Sequence, residues 1–317
     1  MDIINQFKIK IKSILAGYLN KKSYAMTGMR SFLTLVFMCT ILSCSTSETQ
    51  TVANFTELVM HDEFDIDGAP DNTIWGYDIG RGNDGWGNNE LQYYTSRTEN
   101  VKVENGYLLI TAKKESYEGA SYTSSRLLTK GLFTQKYGRF EARIRLPYGQ
   151  GIWPAFWLLG ADSEEVGWPN CGEIDIMEFR GQNPTTVLGT VHGLGYSGET
   201  SISKSYSLLN DRFDTDFHIF GIEWGPEYIN YYIDDVLYNQ ITPEDLPTSA
   251  PPIDLCNGLS EERCAELKAG WNKWAFDKPF YIIINLAVGG NFVGAPNSET
   301  VFPQTMLVDY VRVYKHY

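Results

Sequence analysis

The chain has 317 residues, of which 43% are hydrophobic and 14% are aromatic, and its formal net charge is −13. This composition allows a large buried core and excludes a disordered or fibrous protein. The acidic balance argues against nucleic acid or an anionic lipid surface as the main partner. Aromatic residues and glycine are abundant, and stretches of helical period are scarce, which favours an all-β fold.

An export signal is predicted at the N-terminus. An uncharged apolar run covers residues 32–42 and is too short to span a bilayer as a helix. It follows three basic residues, as the core of a signal peptide does: Lys21, Lys22 and Arg30. The residues upstream of Met26 or Met29 do not resemble a signal sequence, and a start codon assigned too far upstream would explain them. We therefore assign residues 1–43 to a signal-peptide region.

Cys44 is the predicted lipidation site. The apolar run ends in Ile41-Leu42-Ser43-Cys44, which resembles a bacterial lipobox, a motif whose cysteine is diacylated and becomes the first residue of the mature chain. Residues 44–53 would then be a lipidated tether. The alternative is an ordinary secretory signal with an incidental cysteine, and in both cases the protein is exported.

Export has consequences for charge and location. Cleavage before Cys44 removes six Lys or Arg residues and one Asp, so the mature chain would carry a net charge of −18. We expect an outer-membrane lipoprotein exposed at the cell surface, held to the membrane by its N-terminal lipid and otherwise monomeric.

Strands are predicted along most of the remaining chain. Short runs of alternating polarity are separated by Gly, Asn or Pro, which is typical of strands. Turns are predicted at Pro226-Glu227 and Asp234-Asp235. Many short strands at close spacing predict a sandwich or barrel. The predicted strands are 100–113, 137–146, 217–224, 228–233 and 307–314.

One helix is predicted, at residues 260–269, because Ser260 is a suitable N-cap and glutamates follow it in the first turn. It lies in an insertion, residues 243–270, that contains Cys256 and Cys264. An oxidising compartment makes a disulfide between these cysteines plausible, with two reduced thiols as the alternative. No linker divides the chain after the tether, so residues 54–317 are predicted to form one domain.

Three carboxylates lie within six residues of an otherwise apolar strand: Glu173, Asp175 and Glu178. Burying acids is costly, so such a cluster requires an explanation. In a regular strand Glu173 and Asp175 share one face and Glu178 points to the other. A one-residue bulge near Met177 would return Glu178 to the acidic face. Cys171, just before them, has no CxxC or His partner and is expected to be a buried free thiol.

Carboxylates that share a face repel one another, so one is driven toward its protonated form while another stays ionised. A retaining glycosidase needs such a pair: an ionised carboxylate as nucleophile and a protonated one as acid, roughly 5 Å apart. We predict Glu173 as nucleophile, Glu178 as acid/base, and Asp175 as the group that orients Glu173. The alternatives are a surface strand of alternating acids or a calcium site. The large apolar residues of the strand disfavour the first, and the lack of Asn, Ser and Gly at chelating spacing disfavours the second.

The acidic segment resembles the signature of glycoside hydrolase family 16, E-[ILV]-D-x-(x)-E, in the form with the extra residue that is typical of its laminarinases, agarases and carrageenases. The likeness covers residues 55–317, and four other segments resemble laminarinase-type members in the same order: 85–95 (GWGNNELQYYT), 151–157 (GIWPAFW), 286–291 (LAVGGN) and 308–314 (VDYVRVY).

The resemblance implies a β-jelly-roll sandwich of two curved antiparallel sheets, whose concave face forms a cleft for a polysaccharide. Aromatic rings stack on sugar rings, so three tryptophans near the acids are candidate platforms: Trp153, Trp157 and Trp168. Trp157 is as well suited to a core position. His192 resembles a histidine beside the cleavage point.

Three further residues are candidates for hydrogen bonds to sugar hydroxyls: Asn88, Glu90 and Arg126. Asn88 has turn chemistry as an equal alternative. The resemblance also implies a structural calcium ion away from the catalytic residues, with Glu63, the carbonyl of Gly106, and Asp309 at the matching positions.

The leading hypothesis is an endo-acting, retaining hydrolase of β-1,3-glucan, laminarin-like or mixed β-1,3/1,4, that needs no cofactor for catalysis. One alternative keeps the fold and mechanism but acts on an algal galactan, as agarases and carrageenases do. The other is a non-catalytic carbohydrate-binding surface lipoprotein.

Overall fold

The computed structural model describes residues 55–252 and 254–316. Ala53–Tyr317 form one compact unit. The predicted signal region and tether, with the lipidation site Cys44, lie outside the described residues. None of the helices in the described ranges has both the length and the apolar character needed to cross a membrane.

The larger sheet has ten strands in the order β15-β14-β13-β8-β17-β5-β6-β3, with β1 paired to β17 and β4 paired to β5. All its pairs are antiparallel except β3 with β6, which is parallel. Its strands are β1 (Phe55–Asp62), β3 (Gln92–Tyr94), β4 (Val101–Glu104), β5 (Tyr107–Tyr117), β6 (Ala120–Ser124), β8 (Gly138–Arg145), β13 (His218–Gly225), β14 (Tyr228–Ile233), β15 (Val236–Ile241) and β17 (Gln304–His316).

The smaller sheet has seven strands in the order β12-β11-β10-β9-β16-β7-β2, all antiparallel. It contains the strand with the acidic cluster, β10, near its centre. Its strands are β2 (Gly76–Tyr77), β7 (Arg126–Leu128), β9 (Ile152–Gly160), β10 (Glu173–Phe179), β11 (Thr186–His192), β12 (Ile202–Ser207) and β16 (Phe280–Val288).

The core lies between the two sheets. Phe140 and Phe220 from the larger sheet and Ile174 and Phe179 from the smaller one belong to the same cluster of buried side chains. Each large apolar side chain buried in this way contributes roughly 1.5–3 kcal/mol relative to exposure. The residues of β10 that face this core leave the other face of the strand for polar groups. The predicted all-β sandwich is confirmed.

The predicted turns are present. Pro226-Glu227 joins β13 to β14, and Asp234-Asp235 joins β14 to β15. Both aspartates have positive φ, 50° and 63°, as a two-residue hairpin turn of the primed type requires. The predicted strand 100–113 is two strands, β4 and β5, because Asn105 and Gly106 turn the chain with positive φ.

Helices are short and peripheral. A four-residue helix, α1 (Ser163–Val166), follows β9, and α2 (Glu261–Gly270) matches the predicted helix. The hydroxyl of Ser260 caps α2 by accepting the N–H of Arg263 at 3.2 Å. Single helical turns occur at Gly85–Asn89, Gly198–Thr200 and Pro243–Asp245.

The insertion that carries α2 is cross-linked by a disulfide, and hydrogen bonds hold the residues that flank α2. Cys256 and Cys264 are joined by a disulfide, and α2 itself has no buried residue. The indole N–H of Trp271 donates to the carbonyl of Ser249 at 3.0 Å, and the N–H of Asn272 donates to the carbonyl of Leu194 at 2.8 Å. The insertion therefore docks on the loop that follows β11. Cys171 is a buried free thiol.

Candidate active site

A bulge in β10 brings the three acids to one face. Asp175 pairs with Trp157 of β9 and Glu178 with Ala155, so three steps along β10 match two along β9. The extra residue lets both Ile176 and Met177 point into the core, where they are 2% and 0% exposed. Glu178 consequently returns to the face of Glu173 and Asp175, as a bulge near Met177 predicts.

β11 supplies the neighbours of this acidic face. His192 lies opposite Glu173 in the β10–β11 register, and Thr190 lies opposite Asp175. Nε2 of His192 is 3.1 Å from Oδ2 of Asp175 and 3.6 Å from Oε1 of Glu173. The hydroxyl of Thr190 donates to Oε2 of Glu178 at 3.4 Å. The three acids thus share one polar layer with His192 and Thr190.

The environment raises the pKa of all three acids. Burial is the main cause, because it disfavours the charged form, and the neighbouring carboxylates add to it. The pKa of Asp175 rises to about 7 through burial and the charge of Glu173. The pKa of Glu178 rises to about 8 through burial and the charge of Asp175. Glu178 is therefore mostly protonated at neutral pH and can donate a proton.

His192 keeps a proton on the nitrogen that faces the acids. The N–H of Gly198 donates to Nδ1 at 3.2 Å, which assigns the ring proton of the neutral form to Nε2. Burial lowers the pKa of His192, whereas the charges of Glu173 and Asp175 raise it and are the larger effect. The N–H of Gly198 opposes a second proton on the ring, because Nδ1 can accept it only while that nitrogen keeps its lone pair. Nε2 is a donor in both charge states.

Glu173, Asp175 and His192 have ligand atoms within 4.8 Å of one another, a spacing that a metal ion could bridge. A metal needs a free lone pair on the imidazole, and the Gly198 contact leaves the proton on Nε2. We therefore assign this cluster to proton and hydrogen-bond chemistry.

The three tryptophans differ in exposure. Trp168 is 53% exposed, and its indole N–H donates to Oε2 of Glu173 at 3.1 Å. Trp153 is 8% exposed and packs with Phe292 at 4.9 Å between ring centres. Trp157 is half-buried and its indole N–H donates to Oδ1 of Asn285 at 2.8 Å. Of the three, Trp168 offers the most open ring.

Arg126 is held by protein groups. Its Nε lies 2.9 Å from Oδ2 of Asp78. Its guanidinium lies over the rings of Trp86 and Trp157, 4.7 Å and 4.9 Å from their centres. Such cation–π contacts fix the plane of the guanidinium. Its positive charge favours the ionised form of Glu173 and so offsets part of the rise in the pKa of that residue.

Glu90 is 5% exposed and lies in a buried polar network. Its Oε2 accepts the amide of Gln92 at 2.6 Å and the hydroxyl of Tyr94 at 3.2 Å. Tyr94 in turn accepts the amide of Asn285 at 3.1 Å. Burial raises the pKa of Glu90. Asn88 is half-buried in the adjoining turn, and its carbonyl accepts the N–H of Asn291 at 2.8 Å.

Several of these partners were not identified from the sequence: Thr190, Gly198, Asn285 and Trp86. Asn285 lies directly before the segment 286–291, and it is the one polar residue in the apolar run of β16. A polar residue at this position of an apolar strand could have identified Asn285 as a candidate site residue. The contacts of Thr190 and Gly198 depend on strand register and loop path, for which the sequence carries no local pattern.

The predicted calcium ligands have other partners. Both carboxylate oxygens of Glu63 accept the guanidinium of Arg312, at 2.8 Å and 2.7 Å. Oδ2 of Asp309 accepts Nη1 of Arg143 at 2.6 Å. Calcium takes six to eight oxygen ligands, and guanidinium groups beside two of the three would repel it. The calcium site formed by these side chains with the carbonyl of Gly106 therefore stays a prediction.

Comparison with known proteins agrees with this geometry. Residues 88–257 match the model of glycosyl hydrolases family 16. A β-glucanase of Rhodothermus marinus is 43% identical over 288 residues, 89% of this chain and 92% of the relative. Glucan endo-1,3-beta-glucosidase A1 of Niallia circulans is 37% identical over 81% of this chain, which spans 38% of that longer protein.

The same relationship is visible in three dimensions. The laminarinase catalytic domain of Thermotoga maritima MSB8 superposes with a TM-score of 0.71 and 46% sequence identity, covering 83% of this chain and 99% of that domain. The match in sequence and in fold extends across both sheets and the acidic strand, and the chain belongs to glycosyl hydrolases family 16.

Proposed function

We propose that this protein is an endo-acting, retaining β-1,3-glucanase with Glu173 as nucleophile and Glu178 as acid/base. The observation that carries the proposal is the bulge of β10, which places both glutamates with Asp175 on one face of the smaller sheet. A glycosidase requires two carboxyl groups that flank one linkage in different protonation states.

The environment of each glutamate suits its role. Glu178, with its pKa raised to about 8, holds the proton that the leaving oxygen needs. Glu173 accepts the N–H of Trp168 and feels the positive charge of Arg126, and both favour its ionised form. As Glu173 attacks the anomeric carbon, the glycosidic bond breaks and its oxygen takes the proton of Glu178. Glu178, now ionised, removes a proton from water, which attacks the same carbon and frees Glu173.

Asp175 and His192 support this exchange. Nε2 of His192 lies 3.1 Å from Oδ2 of Asp175, and Asp175 lies between the two glutamates along the strand. A proton shared among these groups keeps Glu173 charged and Glu178 neutral at the start of the reaction. No organic cofactor is needed for these steps.

A neutral glucan fits the site better than a sulfated galactan. The cleft face presents three acids, and the guanidinium of Arg126, whose charge acts on Glu173, is already paired with Asp78. An acidic wall repels sulfate groups. The relatives reported above are by name a β-glucanase, a glucan endo-1,3-beta-glucosidase and a laminarinase. In this chain the segment from Trp86 to Gln92, which resembles laminarinase-type members, also favours glucan.

A purely binding protein would gain nothing from one buried and two half-buried acids with raised pKa values, because burying acids lowers stability. We extend the proposal to location: export, lipidation at Cys44 and attachment of the monomer to the outer membrane, supported by the lipobox resemblance.

The decisive experiment is release of reducing ends from laminarin, agarose and carrageenan by the purified protein. We expect release from laminarin, with a β-configured anomer formed first in proton NMR. Glu173→Gln should abolish turnover, and Glu178→Gln should slow it by about 10²–10⁴-fold. Binding of laminarin without hydrolysis by the wild type would favour the binding lipoprotein instead.

A further inference from the structure

Trp168 contacts the nucleophile directly. Its Nε1–H donates to Oε2 of Glu173 at 3.1 Å. The nearest nitrogen of His192 is farther from this carboxylate, at 3.6 Å from Oε1. Among the described residues, the indole therefore makes the closest N–H contact to Glu173.

The backbone around Trp168 is held in place although its side chain is exposed. The N–H of Cys171 donates to the carbonyl of Gly167 at 3.0 Å, and the N–H of Gly172 donates to the carbonyl of Pro169 at 3.0 Å. These two bonds close the loop 167–172 immediately before Glu173. A donor on so short a loop keeps a constant position relative to the carboxylate that follows it.

The indole of Trp168 can stack on a sugar while its N–H is bonded to Glu173. It is 53% exposed, and it lies 6.0 Å from the ring of His192 beside the acids. An exposed indole face stacks on a sugar, and the same indole has its N–H engaged with the nucleophile. A sugar that stacks on this ring would restrict the indole and thereby the carboxylate.

We propose that Trp168 is a positioning residue for the nucleophile, holding Oε2 of Glu173 through its indole N–H in addition to offering a platform to the glucan. This inference rests on the proposed function. An N–H directed at a carboxylate fixes its orientation and stabilises its charge. It therefore affects the bond-forming step as well as substrate binding.

Trp168→Phe separates the two roles, because it keeps an aromatic face and removes the N–H. We expect kcat on laminarin to fall by about 10- to 100-fold, the cost of one hydrogen bond to a charged group, with KM within about threefold of wild type. The acidic limb of kcat/KM should move to higher pH, since Glu173 loses a group that lowers its pKa.

Trp75→Phe is the matched control. The indole N–H of Trp75 donates to Oδ2 of Asp62 at 2.8 Å, the same type of bond in a part of the fold that has no catalytic residue. This variant should lower the melting temperature and leave kcat, KM and the acidic limb unchanged.

The outcomes are distinct. If Trp168→Phe raises only KM and leaves kcat and the acidic limb unchanged, Trp168 is a platform alone and the inference is wrong. An equal loss of kcat in Trp75→Phe would also overturn it. A wild type that fails to hydrolyse laminarin would refute the proposed function itself, which the same series measures first.

Discussion

At the scale of single residues, the acids of β10 carry both the chemistry and a cost in stability. The folded pKa of Glu178, about 8, lies above its ordinary value of 4.5 because burial disfavours the charge. The favourable contribution of such a group is complete below pH 4.5 and is lost as pH rises through about 8. Function thus requires a group whose ionisation opposes folding.

Glu178→Gln should therefore stabilise the protein most at alkaline pH. Glutamine fills the same space without a charge to bury, so we expect a melting temperature at or above that of wild type at pH 9 and a smaller difference at pH 5. Each kcal/mol corresponds to roughly 2–4 °C for a domain of this size. Calorimetry across this range tests it, and a variant less stable than wild type at pH 9 would contradict it.

At the scale of elements, the bulge of β10 separates a core side from a cleft side within one strand. Ile176 and Met177 enter the core in succession, and Glu178 follows on the opposite face. A strand without the extra residue would alternate strictly. Stability and catalysis consequently depend on adjacent residues with opposite orientation.

Met177→Ala tests that separation. Met177 is 0% exposed, so we expect a loss of about 2–5 kcal/mol in the free energy of unfolding. Met177→Leu should cost less than about 1.5 kcal/mol. Denaturant titration gives both values. KM and kcat should stay near wild type at a temperature where the variants are folded; a selective loss of kcat would show that Met177 also sets the position of Glu178.

At the scale of the whole molecule, the acids lie on the smaller sheet, whereas the described residues begin with β1 on the larger sheet. The proposed anchor at Cys44 lies outside the described residues, and fractionation of the cell tests it directly.

Cys44→Ala should move the protein from the membrane fraction to the soluble fraction, because the proposed lipidation attaches acyl chains through this thiol. Cys39→Ala, which changes a cysteine within the same apolar run, should leave fractionation unchanged. Immunoblots of the two fractions measure the effect. Membrane association that persists in Cys44→Ala would disprove lipidation at this residue.

The alternation of apolar residues, the turn residues, the Ser260 N-cap and the acidic pattern around Met177 are local features, and they predicted a sandwich or barrel, the hairpins, α2 and the bulge. The choice of the jelly-roll sandwich came from the resemblance to glycoside hydrolase family 16. The calcium site stays a prediction. The ion pairs that Asp309 and Glu63 form with Arg143 and Arg312 were not foreseen, because the arginines lie on β8 and β17 and no local pattern indicates such pairs.

The sequence by itself determined which strand holds the acids and which of its side chains enter the core, since strand geometry repeats every two residues and a bulge shifts that repeat by one. Only the tertiary structure decided which groups act on those acids. The indole of Trp168, the imidazole of His192 with its partner Gly198, and the hydroxyl of Thr190 reach their places through register and loop path, which depend on contacts between segments distant along the chain.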